Sequence, residues 1–225
     1  MIEKLNAGLE KLNLNFSSEQ ISRLEQYISC VMEFNKTYNI MKASSEEELA
    51  VNHILDSLAA VSYLEKLVKE IETSGVKQED IQIGDIGSGG GCPGIPLAIA
   101  FPKMHFTFVE RMEKRCVFLS NTIRKLNISN VKVLCTQADL VPKESFHLEV
   151  FRAFHPFEKK IVKLLFNMLK KDGIVAAYKA RSEKIAAEME EVKVMVPAYS
   201  KIQLTVPFLE DHERNLVVFR KEAAK

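Results

Sequence analysis

The residues of this chain whose types and spacing could do chemistry together lie in one stretch, IQIGDIGSGGGCPGIPLAIAF at 81–101, which holds six of its nine glycines. Asp85 precedes the glycines, and the order Asp85-x-Gly87-x-Gly89-Gly90-Gly91 ends an apolar run and leads into a helical one. Glycine accepts the positive φ of a tight turn and, lacking Cβ, lets a ligand approach the backbone. The stretch therefore reads as a ligand cradle, with Pro93, Gly94 and Pro96 opening a helix whose free N–H groups face the same crevice. A phosphate loop would end in Gly-Lys-Ser/Thr, which is missing, and the dinucleotide fingerprint GxGxxG would need glycine where Cys92 stands. Asp85 would repel a pyrophosphate but suits a cation such as an ammonium or a sulfonium. A second acid, Glu110, closes HFTFVE at 105–110, about 20 residues beyond the loop, the spacing at which a ribose diol is gripped. Adenosine with a cationic amino-acid tail satisfies all of these features, so the expected cofactor is S-adenosylmethionine, held by Asp85, Gly87, Gly89, Gly91 and Glu110.

The elements that must position these residues have two textures. Residues 1–73 are helical: Ser17 and Ser18 are candidate caps for SSEQISRLEQYISCVMEF, in which Ile21, Leu24, Tyr27, Ile28, Val31 and Phe34 recur at helical spacing. A second helix is expected through SEEELAVNHILDSLAAVSYLEKLVKEI, whose middle is apolar on more than one side and so packs on two neighbours. The loop TSGVKQED at 73–80 interrupts the periodicity. From Ile81 onward short apolar runs alternate with helical ones, which predicts an α/β fold: a mostly parallel, seven-stranded sheet with helices on both faces. Strands are expected at 81–86, 105–110, 131–135, 148–153, 174–180, 201–206 and 215–221. Helices are expected at 94–101, 113–126, 156–170 and 182–191, with Gly173 at the turn that follows the third. The organisation expected is an N-terminal helical lobe over 1–73 and a Rossmann-like core over 74–225. Ligands of such sheets bind beyond the carboxyl ends of the strands, which is where the glycines lie.

The 225 residues are 47% hydrophobic and 27% charged, ordinary globular usage, and no apolar run is long enough to cross a bilayer. The charged N-terminus MIEKLNAGLEKLNLN is unlike a signal peptide, so a cytoplasmic protein without a membrane partner is expected. The net charge of +1 hides an asymmetry: residues 1–84 hold 8 basic and 14 acidic side chains, so a surplus of seven positive charges belongs to the remainder. Clusters there, such as RMEKR at 111–115 and YKARSEK at 178–184, could meet phosphates. Cys30, Cys92, Cys116 and Cys135 are scattered, with no CxxC pair, and are expected to be buried free thiols. No metal is expected, because His53 and Asp56, three residues apart on one helix face, lack the further ligands it would need.

DIGSGGGCPGIPLAI followed by FVERMEKRCVFL resembles the bacterial small-subunit (16S) ribosomal RNA guanine-N7 methyltransferases, also called glucose-inhibited division protein B. EFNKTYNIMKA (33–43), NHILDSLAA (52–60), FRAF (151–154), MLKKDG (168–173), AYKA (177–180) and RNLVVFRK (214–221) extend the resemblance, in the family's order, over nearly the entire chain. It implies a class I S-adenosylmethionine-dependent methyltransferase fold and methylation of N7 of a guanine in a decoding-region loop of 16S rRNA, free or in small-subunit particles. A monomer is expected. By position the resemblance implies that Gly87 and Cys92 line the cofactor pocket, that Ala138 and Asp139 of TQADL lie near the adenine, and that Arg152 of FRAF stands where cofactor and substrate meet. Cys92, Asp139 and Phe151 depart from the residues usual at those places. Guanine N7 offers its lone pair at neutral pH, so no general base is required, and neither the Asn-Pro-Pro-aromatic motif of amine methylases nor a Pro-Cys dyad is found. Arg152 is the expected catalytic residue, orienting the target nucleotide or its phosphate, with an internal salt bridge as its other possible role. Lys114, Arg115, Lys179, Arg181 and Arg214 are the candidate phosphate contacts. Two further readings stay open: a nicotinamide-dependent oxidoreductase, and a non-catalytic RNA-binding or assembly factor that has kept the cradle.

Overall fold

Serine and glutamine at the start of the first amphipathic run form a reciprocal cap: Ser17 Oγ accepts from Gln20 N (3.2 Å) while Gln20 Oε1 accepts from Ser17 N (3.0 Å). They open α2 (Ser18–Asn35), which follows α1 (Glu3–Lys11) and buries Leu24, Tyr27, Ile28 and Val31. The computed structural model describes residues 2–221; Met1 and residues 222–225, the outermost parts of the two expected units, lie outside the described residues.

The single long helix expected next is instead broken into α3 (Glu46–Leu49), a π-helical segment (Ala50–Leu55), α4 (Asp56–Leu58) and α5 (Val61–Thr73). The interruption between α4 and α5 has a tertiary cause. Tyr178 donates its hydroxyl to Ser57 O (2.7 Å), occupying a carbonyl that a continuing helix would use, and Ser57 Oγ bonds back to His53 O (2.6 Å). No glycine or proline marks the interruption.

The sheet has seven strands: β1 (Gln82–Ile86), β2 (His105–Glu110), β3 (Val131–Cys135), β4 (Phe146–Arg152), β5 (Leu169–Lys179), β6 (Ser200–Gln203) and β7 (Asn215–Arg220). Their order is β3-β2-β1-β4-β5-β7-β6; the first five are parallel and the last two pairings antiparallel. Between the strands run α6 (Gly94–Ala100), α7 (Glu113–Lys125), α8 (Lys159–Met168) and α9 (Ser182–Val192). β5 begins earlier than the apolar pattern predicts, because Leu169 pairs with Phe146 before the register shifts and Leu148 meets Ile174.

One face of the sheet, with Phe106, Phe108, Val150 and Ile174, shares a core with the N-terminal helices; the other, with Val175 and Phe219, packs on α8 and α9. Within the second face Glu149 is fully buried with neither carboxylate oxygen hydrogen-bonded. The expectation of four free thiols is corrected: Cys116 and Cys135 are joined as a disulfide, because β2 and β3 align Glu110 with Cys135 just before α7 brings Cys116 back. Cys92 is free and buried, and Cys30 is free and half-buried.

Candidate functional site

Chain order reverses between β1 and β4, where the sheet leaves one winding direction for the other, and this is the place at which an open parallel sheet forms a crevice. Asp85 pairs in register with Val150, so Arg152 stands two residues further along β4, level with Gly87. Arg152 is opposite Tyr178, and Lys179 opposite Asn215, so Arg214 also lies at this carboxyl edge.

Gly87 (φ +74°) turns the chain out of β1, and its N–H donates to Val109 O (2.8 Å). A Cβ there would lie 2.6 Å from the Phe154 ring, so glycine is required both by conformation and by close packing. Glu110 tethers the loop, accepting from Gly89 N (2.9 Å) and Met112 N (2.9 Å) with its two oxygens. Each oxygen keeps a lone pair that a diol could use. Asp85, 1% exposed, accepts from Gly94 N through Oδ2 (3.1 Å), while its Oδ1 is buried without a partner. Burial pushes its carboxyl up to about 7, against the pull of Ser88, the Gly94 N–H and the Arg152 charge.

This corrects the expectation of free N–H groups at the start of α6. Gly94 N is taken by Asp85, Ile95 N by Gly91 O (2.7 Å), and Leu97 N by Pro93 O (3.1 Å). The polar function left for a ligand belongs to the acid: an acceptor that lacks a donor beneath a glycine loop suits an ammonium group. Beside it Tyr27 donates to Gly90 O (2.7 Å) and lies 3.3 Å from Cys92 Sγ, and burial pushes the Cys92 thiol up.

The side chains that sequence reasoning missed are those around Arg152. Its Nη1 donates to Asp56 Oδ2 (2.5 Å) and Asn52 O (3.1 Å), and its Nη2 donates to His53 Nδ1 (2.7 Å). His53 Nε2 faces Lys42 O (3.1 Å), so the ring proton belongs on Nε2. Burial and the Arg152 charge hold His53 below its usual pKa, which keeps Nδ1 an acceptor. Asp56 Oδ1 accepts from Arg214 Nε (2.9 Å), so one buried carboxylate serves two guanidinium groups. The available signal lies in NHILDSLAA, which puts His53 and Asp56 on one helix face.

A family model described as rRNA small subunit methyltransferase G matches residues 20–217. The chain belongs to this family. The ribosomal RNA small subunit methyltransferase G of Treponema denticola is 34% identical, the alignment covering 95% of this chain and 92% of the relative. That of Neisseria meningitidis is 31% identical over 97% of this chain and 98% of its own length. Among solved structures, a tRNA (m1A58) methyltransferase of Aquifex aeolicus superposes with a TM-score of 0.56 at 16% identity, covering 76% of this chain and 69% of the other. A methyltransferase of Pyrococcus furiosus gives a TM-score of 0.51 at 21% identity, covering 64% and 75%. The fold is therefore the α/β class I methyltransferase fold.

Within this member of the methyltransferase G family, Ala138 and Asp139 lie on a single 3₁₀ turn (Ala138–Leu140) after β3, Ala138 half-buried and Asp139 exposed. Lys114 is exposed with Nζ 4.4 Å over the Tyr38 ring, and Arg115 lies 3.7 Å from Glu110. Arg181 is exposed at the start of α9. Lys179 departs from what a phosphate contact needs, because its ammonium is engaged by Glu188 (2.6 Å), His155 O (3.1 Å) and the Phe157 ring. Among the described residues no helix is long and apolar enough to cross a membrane, and no group of three or more His, Cys, Asp and Glu could hold a metal ion.

Proposed function

We propose that this chain transfers a methyl group from S-adenosylmethionine to N7 of one guanine in an exposed decoding-region loop of 16S ribosomal RNA. The observation that carries the reading is Asp85 Oδ1, an acceptor awaiting a donor beneath the glycine loop of a chain in an rRNA small subunit methyltransferase family. When bound, S-adenosylmethionine supplies a methyl group activated on a sulfonium sulfur. Asp85 would meet its ammonium, the backbone of Gly87, Gly89 and Gly91 its amino-acid portion, Glu110 its ribose, and Ala138 and Asp139 its adenine, with Cys92 in the pocket wall.

N7 needs no deprotonation, so the protein's work is alignment and exclusion of water. Arg152 fits an orienting role rather than an acid–base one, since a guanidinium stays charged. Cys92, buried and with its thiol pushed up, is a poor nucleophile, which disfavours carbon methylation through a covalent adduct. The helical lobe over 1–73 supplies one wall of the crevice through Tyr27, His53 and Asp56, and the core over 74–225 supplies the rest. Exposed bases of RNA loops are the reachable targets, with Lys114, Arg115, Arg181 and Arg214 meeting phosphates. The substrate is the RNA alone or within a small-subunit particle in the cytoplasm, and the protein acts as a monomer.

The test is tritiated methyl transfer to small-subunit RNA and particles lacking the modification, with borohydride–aniline cleavage to locate N7-methylguanosine. Label at a single guanine is expected. Tight RNA binding without transfer would favour the assembly-factor reading, and calorimetric binding of a nicotinamide nucleotide in place of S-adenosylhomocysteine would favour the oxidoreductase.

A further inference from the structure

In NHILDSLAA the side chains of His53 and Asp56 both end on Arg152. His53 turns Nδ1 to Arg152 Nη2, Asp56 turns Oδ2 to Nη1, and Asn52 O takes a second bond from Nη1. Three acceptors from one short segment thus define the plane of the guanidinium, while Arg152 Nε carries no hydrogen bond among the described residues. Asn52, His53 and Asp56 share one helix face and so reach a single partner 96–100 residues away. Asp56 also holds Arg214, so two positive groups share a single negative one and the assembly stays cationic toward RNA.

We propose that His53 and Asp56 are positioning residues for Arg152, fixing its guanidinium at the crevice beside the glycine loop. The inference rests on the methyl-transfer reading above. A side chain held by partners that are themselves held loses little freedom when substrate binds, and misplacement by about 1 Å can cost on the order of a hundredfold in rate.

Two conservative changes at His53 separate positioning from mere structure. His53→Asn keeps an oxygen near the place of Nδ1, and with it the bond to Arg152, but loses the bond to Lys42 O. His53→Gln keeps a donor for Lys42 O and removes the acceptor from Arg152. Positioning predicts that His53→Gln lowers kcat for RNA methylation at least about tenfold, with KM for RNA little changed, while His53→Asn stays within about threefold of wild type. Nitrogen-15 resonances of the Arg152 guanidinium should show hindered rotation in wild type and His53→Asn and averaging in His53→Gln. Melting temperatures of both variants monitor folding. Equal kcat values, or His53→Asn as the weaker enzyme, would overturn the proposal, since a purely structural His53 needs its bond to Lys42. If the wild type methylates no RNA, the functional reading fails, and the resonance comparison still decides the role of His53.

Discussion

Asp85 illustrates how a single buried carboxyl ties stability to pH. Its folded-state pKa, about 7, lies above the 3.8 of an unperturbed aspartate, so between those values the folded chain holds a proton that the unfolded chain has released. Stability therefore falls as pH rises from about 4 to about 7, by at most about 4 kcal/mol. Asp85→Asn should remove that slope, measured by urea denaturation at pH 5 and pH 8, and should lower S-adenosylhomocysteine affinity at pH 8 by about tenfold or more, measured by calorimetry. Wild-type affinity should climb with pH through about 7, as the carboxylate an ammonium needs becomes ionised. Glu149 has the same sign. Burial raises its pKa well above the usual carboxylate range, opposed by Lys221, so its cost appears as pH rises past the ordinary glutamate value. Glu149→Met should stabilise the protein by about 2 kcal/mol at pH 8 and by less at pH 5, again read by denaturation.

Among the elements, the broken helix between Glu46 and Thr73 matters most for the proposed site, because it carries Asn52, His53 and Asp56 to the same arginine. The break is held by the Tyr178 hydroxyl on Ser57 O. Tyr178→Phe should cost about 1 kcal/mol of stability, measured by chemical denaturation, since the buried carbonyl loses its donor. An unchanged midpoint would mean that Ser57 O finds a helical N–H instead. Most strands were legible because they alternate or fill with apolar residues, and β2 and β3 occupy the predicted spans 105–110 and 131–135, whereas β5 opens in the polar LKKDG and β6, SKIQ, holds a single apolar residue. The π segment was not legible, because its apolar residues are compatible with any helical hand-off. α8 ended two residues early for a related reason: pairing of Leu169 with Phe146 outweighs local helical preference.

Across the whole molecule, the N-terminal helices and the glycine loop meet through Tyr27, which reaches from α2 to Gly90 O. Tyr27→Phe should lower stability by about 1 kcal/mol and weaken S-adenosylhomocysteine binding severalfold, and calorimetry beside a denaturation curve would show both. Loss of stability with unchanged affinity would separate the lobe from the cofactor site. From sequence alone came the α/β order, the glycine loop with its two acids, and the family resemblance, because these are written in short stretches whose periodicity and backbone demands are local. The tertiary structure alone decided that Asp85 caps α6, that Cys116 meets Cys135, and that one aspartate joins Arg152 to Arg214. Local pattern reports which side of an element faces the core. It does not report which polar groups meet there, since the partners of Asp56 lie 96 and 158 residues along the chain and only packing brings them together.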